Sequence, residues 1–219
     1  MEISLQIISY VLLVVAALVP IANPFSTAPL FVTLTAGADK AQRKHIAFLC
    51  CLYMFGMLVI FLLLGTVVLN FFGVSLPALR IAGGLIVATI GFRMVFEKKD
   101  KEPESPEVSH DSLTKIAFTP LAMPMLSGPG SISVVMSMSA QISLLEPVTS
   151  KLIGYIVVIG GIAIASIICW LVLRASGSVV RFLGQNGIDA LTKVMGFLLV
   201  SIGVEFIVAG LKGLNIIEG

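Results

Sequence analysis

Six stretches of this chain, roughly 5–35, 45–69, 76–96, 115–140, 152–173 and 191–211, are long, apolar and almost free of charge. Runs of about 20 apolar residues match the hydrocarbon thickness of a bilayer. In hydrocarbon the backbone must satisfy its own hydrogen bonds, so each run is expected to be a helix. The expected fold class is therefore all-α: a polytopic membrane protein with six transmembrane spans. Composition agrees, because 12% of the 219 residues are charged against about 25% in a soluble domain.

Two of the six runs are interrupted in the same way. The first reads Pro20-Ile21-Ala22-Asn23-Pro24-Phe25-Ser26-Thr27-Ala28-Pro29, and the fourth reads Pro120-Leu121-Ala122-Met123-Pro124-Met125-Leu126-Ser127-Gly128-Pro129. The three prolines keep one spacing. Proline lacks a backbone donor and clashes with the preceding turn, so an unbroken helix through either copy is not expected. Two interrupted spans at matching places in two halves point to a transporter site near the bilayer midplane.

Asn23-Pro24 has the form of a helix start, with Asn as cap and Pro in the first helical position. Ser127-Gly128-Pro129 offers a second start, and Thr119-Pro120 an alternative to it. Two half-helix N-termini would then face the middle, with dipoles suited to a carboxylate. The candidate substrate-binding residues are Asn23, Pro24, Ser26, Thr27, Ser127, Gly128, Gly130 and Ser131. Their hydroxyls and amide suit a small zwitterion. Equally, they suit carbonyls freed by proline, and the sequence leaves both uses open.

The polar segment 97–114 separates two halves, 1–96 and 115–219. It is rich in Lys, Glu and Asp, contains Pro103 and Pro106, and is expected to be a solvated linker. Each half has an odd number of spans, so homologous halves would be inverted repeats. The third spans support this: Ala78-Leu79, Gly84 and Ile90-Gly91 recur as Ala190-Leu191, Gly196 and Ile202-Gly203. Gly84 and Gly91, and Gly196, Gly203 and Gly210, recur every seven residues and share a helix face. Small residues on one face allow close packing in lipid, or a sliding contact.

Orientation follows from charge. Eleven of the 14 Lys and Arg fall in the first, third and fifth connections, including Lys40, Arg43, Lys44, Arg174 and Arg181; Arg80, Lys151 and Lys212 fall opposite. The positive-inside rule puts the odd connections in the cytoplasm and both termini outside. Distributed over separate connections, these cations form no patch along the chain, and no nucleic-acid partner is expected. Glu205 is the one acidic residue well inside a span. An intramembrane carboxylate is costly unless paired or wet. Arg80 is its expected partner, because Arg93 holds the repeat-equivalent position near the opposite surface. Cys50, Cys51 and Cys169 lie in apolar runs without metal-like spacing. Together with isolated His45 and His110, they suggest no metal, no cofactor and no enzyme chemistry. The apolar N-terminus lacks a basic start and is expected to be a retained helix rather than a signal peptide.

The segments Pro20–Phe25, Leu79–Ala88, Pro120–Pro124 and Ser127–Gly130 resemble the MarC family of bacterial inner-membrane proteins over nearly the whole chain. That resemblance implies the inner membrane and six spans. Some relatives are described as small neutral amino-acid transporters, in a group placed near LysE-type exporters. A small-molecule substrate is therefore implied, and a particular one only weakly. A non-transporting structural or regulatory membrane protein is the alternative. A reporter fused after Gly219 is expected to read as periplasmic, and one inserted near Ser105 as cytoplasmic; the reverse pattern overturns the orientation.

Overall fold

The computed structural model describes residues 2–35, 38–96 and 117–214. The expected linker at 97–114 lies outside the described residues. Among the described residues there are eight helices and no strand: α1 (Glu2–Ala22), α2 (Pro24–Leu34), α3 (Lys40–Phe72), α4 (Leu76–Phe96), α5 (Ala117–Leu126, a π-helix), α6 (Pro129–Ser143), α7 (Val148–Arg174) and α8 (Ser176–Gly213). Four of them, α3, α4, α7 and the 186–213 part of α8, are each long and apolar enough to cross a bilayer. The pair α1 and α2 is bent by 46° at Asn23 and serves as a fifth such element.

Local chemistry sets the helix ends. Asp39 accepts from the Gln42 amide at 2.8 Å, and the Gln42 side chain accepts from Asp39 N at 2.9 Å, closing a capping box that starts α3. This polar first turn extends α3 beyond the expected 45–69. At its other end Gly73, at φ 65°, takes the left-handed conformation that stops the helix. The last helix also outruns its expected span of 191–211. It begins directly after α7, with Ala175 between them, and Gly184 interrupts it at φ 60° and ψ 178°. Residues 176–183 are thus a separate helical piece before the membrane-crossing part.

The core is built mainly from α1, α2, α3, α5, α6 and α7, joined by Val87 of α4 and Leu199 of α8, with Leu18, Phe31, Met54, Leu58, Leu62, Leu121, Leu126 and Ile162 fully buried. The outer surface is also apolar: Leu12, Ile60, Val67, Phe92, Ile156 and Phe197 are exposed. An apolar rim around an apolar core suits hydrocarbon as solvent.

Helices α4 and α8 make the most extensive contact in the molecule. A Cβ added to Gly84 would lie 2.5 Å from the Gly203 carbonyl oxygen, and one on Gly203 would lie 2.6 Å from the Gly84 oxygen. Gly91 and Gly196 oppose one another in the same way, at 2.6 and 2.9 Å. The recurring glycines are therefore a backbone-to-backbone seam, which only residues without a side chain permit.

Overpacking this seam is expected to cost on the order of 1–3 kcal/mol or more. Gly203→Ala should lower the melting temperature in detergent. Gly56→Ala should not, because nothing lies within 4 Å of a Cβ there.

Candidate functional site

The first break is a single residue, Asn23, between α1 and α2. Pro20 stays inside α1, while Pro24 occupies the first position of α2 and Pro29 lies within it. Asn23 has φ 35° and ψ 66°, the left-handed region, where Asn is among the tolerated side chains. Its Oδ1 accepts from Ser26 N at 3.2 Å, so the residue both bends the chain and caps the next helix. Thr27 Oγ1 donates to the Asn23 carbonyl at 3.2 Å, and Thr33 and Thr35 return hydroxyl bonds to the carbonyls of Pro29 and Phe31. Asn23, Pro24 and Thr27 are buried, and Ser26 is half-buried.

The second break lies at Ser127–Gly128. Of the two starts open in the sequence, the chain uses Gly128-Pro129, with Pro129 first in α6. Ser127 N donates to the Ala122 carbonyl at 2.9 Å, five residues back, in the wide π register of α5. The break thus falls at the last proline of the second copy, whereas the first copy breaks at its middle one. Gly128 has ordinary extended dihedrals, φ −64° and ψ 177°, and gives α6 no side-chain cap. Ser131 Oγ donates to the Leu126 carbonyl at 3.2 Å. The Ser127 hydroxyl is fully buried and has no hydrogen-bond partner among the described residues.

The fold brings the two breaks together. A Cβ on Gly130 would lie 3.2 Å from Ile21 Cγ2 and 3.1 Å from Ile90 Cδ1. The first turn of α6 therefore packs against the last turn of α1, with α4 beside it. The contact is apolar and closed. Glu205 and Arg80 are not joined: they sit on packed helices, Glu205 exposed and Arg80 half-buried, with no ion pair between them.

Two cavities lie elsewhere, and neither is lined by the break residues. One, of about 340 Å³, is an apolar groove between α3 and α7 lined by Phe48, Leu52, Phe55, Ile167 and Trp170 among others. The other, of about 390 Å³, is ringed by Lys40, Arg43, Lys44, Arg174 and Arg181. This corrects the sequence reading of cations without a patch: Lys40, Arg43 and Lys44 at the start of α3, Arg174 at the end of α7 and Arg181 in the first piece of α8 gather around one opening. Their shared side was legible in the charge count; their adjacency needed the tertiary contact.

A model of the MarC family of integral membrane proteins matches residues 8–215. The chain belongs to the MarC family. The inner membrane protein MarC of Salmonella typhimurium is 40% identical over 199 residues, covering 88% of this chain and 90% of its own. The MarC proteins of Citrobacter koseri and Escherichia coli O139:H28 are 40% and 38% identical, covering 88% and 89% of this chain and 90% of each relative. No solved structure matches. Membership of the MarC family makes this an integral membrane protein and gives the apolar exterior its solvent.

At the first break, Asn23→Ala removes the cap and should cost about 0.5–2 kcal/mol, while Asn23→Gly keeps the backbone freedom and should cost a few tenths. Thermal unfolding in detergent checks the order.

Proposed function

We propose that this chain is a secondary transporter of a small polar solute in the bacterial inner membrane, with neutral amino acids the first class to test. Alternating access runs between two inverted halves, 1–96 and 115–219. Counting each broken pair, α1 with α2 and α5 with α6, as one crossing gives six spans. The α4–α8 seam supports the inversion. Adding 112 to one member of the Gly84–Gly203 contact and subtracting it from the other gives Gly196–Gly91, which is also a contact; Ala88–Gly203 maps to Val200–Gly91 likewise. A self-exchanging contact is the mark of a two-fold relation. The names of the relatives support the inner membrane. Charge asymmetry alone supports periplasmic termini.

The observation that carries the solute site is the Ser127 hydroxyl, without a partner among the described residues and buried at the uncapped start of α6 where the two breaks meet. Buried polar groups are nearly always bonded, so an orphan beside a helix N-terminus is a place for a ligand's carboxylate. In this reading Asn23, Pro24, Ser26 and Thr27 shape one wall, and Ser127, Gly128, Gly130 and Ser131 the other. The closed Ile21–Gly130 contact is then an occluded state. Glu205 and Arg80 keep only a weak claim to coupling.

A second reading is favoured by that same closure. If the contact never opens, the chain is a non-transporting structural or regulatory membrane protein.

Proteoliposome flux, screened over amino acids, separates the two. Saturable flux supports transport, and its absence for every small solute supports the second reading. Ser127→Ala is diagnostic within the first: removing an unbonded hydroxyl should leave stability within about 1 kcal/mol or raise it, yet flux should fall at least about tenfold, the equivalent of 1.4 kcal/mol. Unchanged flux removes Ser127 from the site.

A further inference from the structure

The two cavities are neighbours along α3 and α7. Lys44 and Phe48 are one turn apart on α3, and Trp170 and Arg174 are one turn apart on α7, so about 6 Å of helix separates apolar from basic lining on each wall. The Arg174 guanidinium lies 5.0 Å from the Trp170 ring centroid, over its face, and joins the two linings physically. The basic opening sits where α3 begins and α7 ends, at the ends of membrane-crossing helices. Further into the span, Phe48, Leu52 and Ile167 remain exposed along the groove.

The charge at the opening is one-sided. Among the described residues, five cationic side chains line it and no carboxylate does. Arg43 is tied to the fold, donating from Nε to the carbonyls of Thr35 and Ala38 at 2.9 and 3.1 Å. Lys40, Lys44, Arg174 and Arg181 are exposed. Like charges held around one opening repel, and an anion between them relieves that repulsion.

We infer that the opening and groove are one binding site for an anionic phospholipid, its phosphate among the five cations and an acyl chain along the α3–α7 groove. Charge complementarity selects the headgroup. The apolar extension selects a lipid over a free phosphate ion. The positive-inside side of the molecule is also the side where basic pockets between membrane helices meet anionic headgroups. The site is independent of the proposed solute path, since its lining includes neither break.

The full-length chain, purified in neutral detergent, is titrated with dioleoyl phosphatidylglycerol, dioleoyl phosphatidylcholine or sodium phosphate. Binding is read by native mass spectrometry and melting temperature. Phosphatidylglycerol is expected to bind and raise the melting temperature at concentrations where phosphatidylcholine and sodium phosphate do neither. The triple variant Lys40→Gln, Lys44→Gln, Arg181→Gln leaves the two arginines with structural contacts in place. It should bind phosphatidylglycerol at least about tenfold more weakly. The variant Lys40→Arg, Lys44→Arg should bind it as the wild type does. Leu52→Asn, in the groove, should weaken phosphatidylglycerol several-fold without touching the cations. Equal binding of the two lipids overturns the proposal, and so does undiminished phosphatidylglycerol binding by the triple variant. Stabilisation by sodium phosphate matching that by phosphatidylglycerol overturns the lipid as occupant. If the triple variant does not fold, the wild-type comparison of the three probes decides alone.

Discussion

A backbone in hydrocarbon has no water to bond, and that obligation shapes the two breaks in this chain. Proline at position 24 forbids the continuation of α1, so the chain turns at Asn23 and spends that residue's side chain on the first turn of α2. Thr27, Thr33 and Thr35 return hydroxyls to carbonyls along the same helix. At the second break the chain answers with a wider helix and one serine, Ser131, bonded to Leu126. Most of the polar atoms at the two breaks thereby serve the fold. The Ser127 hydroxyl is buried without a partner among the described residues, and the proposed solute site rests on it.

Much of the architecture was legible because it follows from composition and proline. Apolar runs set the helical class, Asn23-Pro24 marked one break, and Ser127-Gly128-Pro129 was one of two starts offered for the other. The seven-residue glycine period marked a close-packing face on each of α4 and α8, since residues two turns apart share a face, and left open which helix it meets. The π register of α5 was not legible, because proline spacing says that a helix is disturbed and not how it widens. Residues 176–183 read as a connection, being too polar for a span, yet they are helical up to Gly184. The gathering of the cations was hidden for another reason: Lys40 and Arg174 are far apart in sequence, and only the packing of α3 on α7 makes them neighbours.

Within the candidate site, the sequence named the right segments and left their use open. The structure assigns Thr27 and Ser131 to carbonyls and Asn23 to a cap. Carbonyl satisfaction accounts for Thr27 and Ser131 and capping for Asn23, and neither accounts for Ser127. The two features of interest also lie apart. The breaks meet in a closed apolar contact at Ile21 and Gly130, while the charged opening belongs to the far ends of α3 and α7. A solute path and a lipid site can coexist without sharing a residue.

The glycine seam has a thermodynamic consequence of its own. Ordering an ordinary side chain at a helix contact costs up to about 2 kcal/mol of rotamer freedom. Gly84, Gly91, Gly196 and Gly203 have no rotamers to lose, so at these four positions the α4–α8 contact forms without that entropic charge. Side chains of the facing helix, among them Ile207, Met94 and Val95, still pack against these glycines and keep their own share of that cost. The glycines themselves add none, so the lipid chains excluded by the seam weigh more in its entropy, and the thickness and order of the surrounding bilayer become determinants of how firmly the two helices hold.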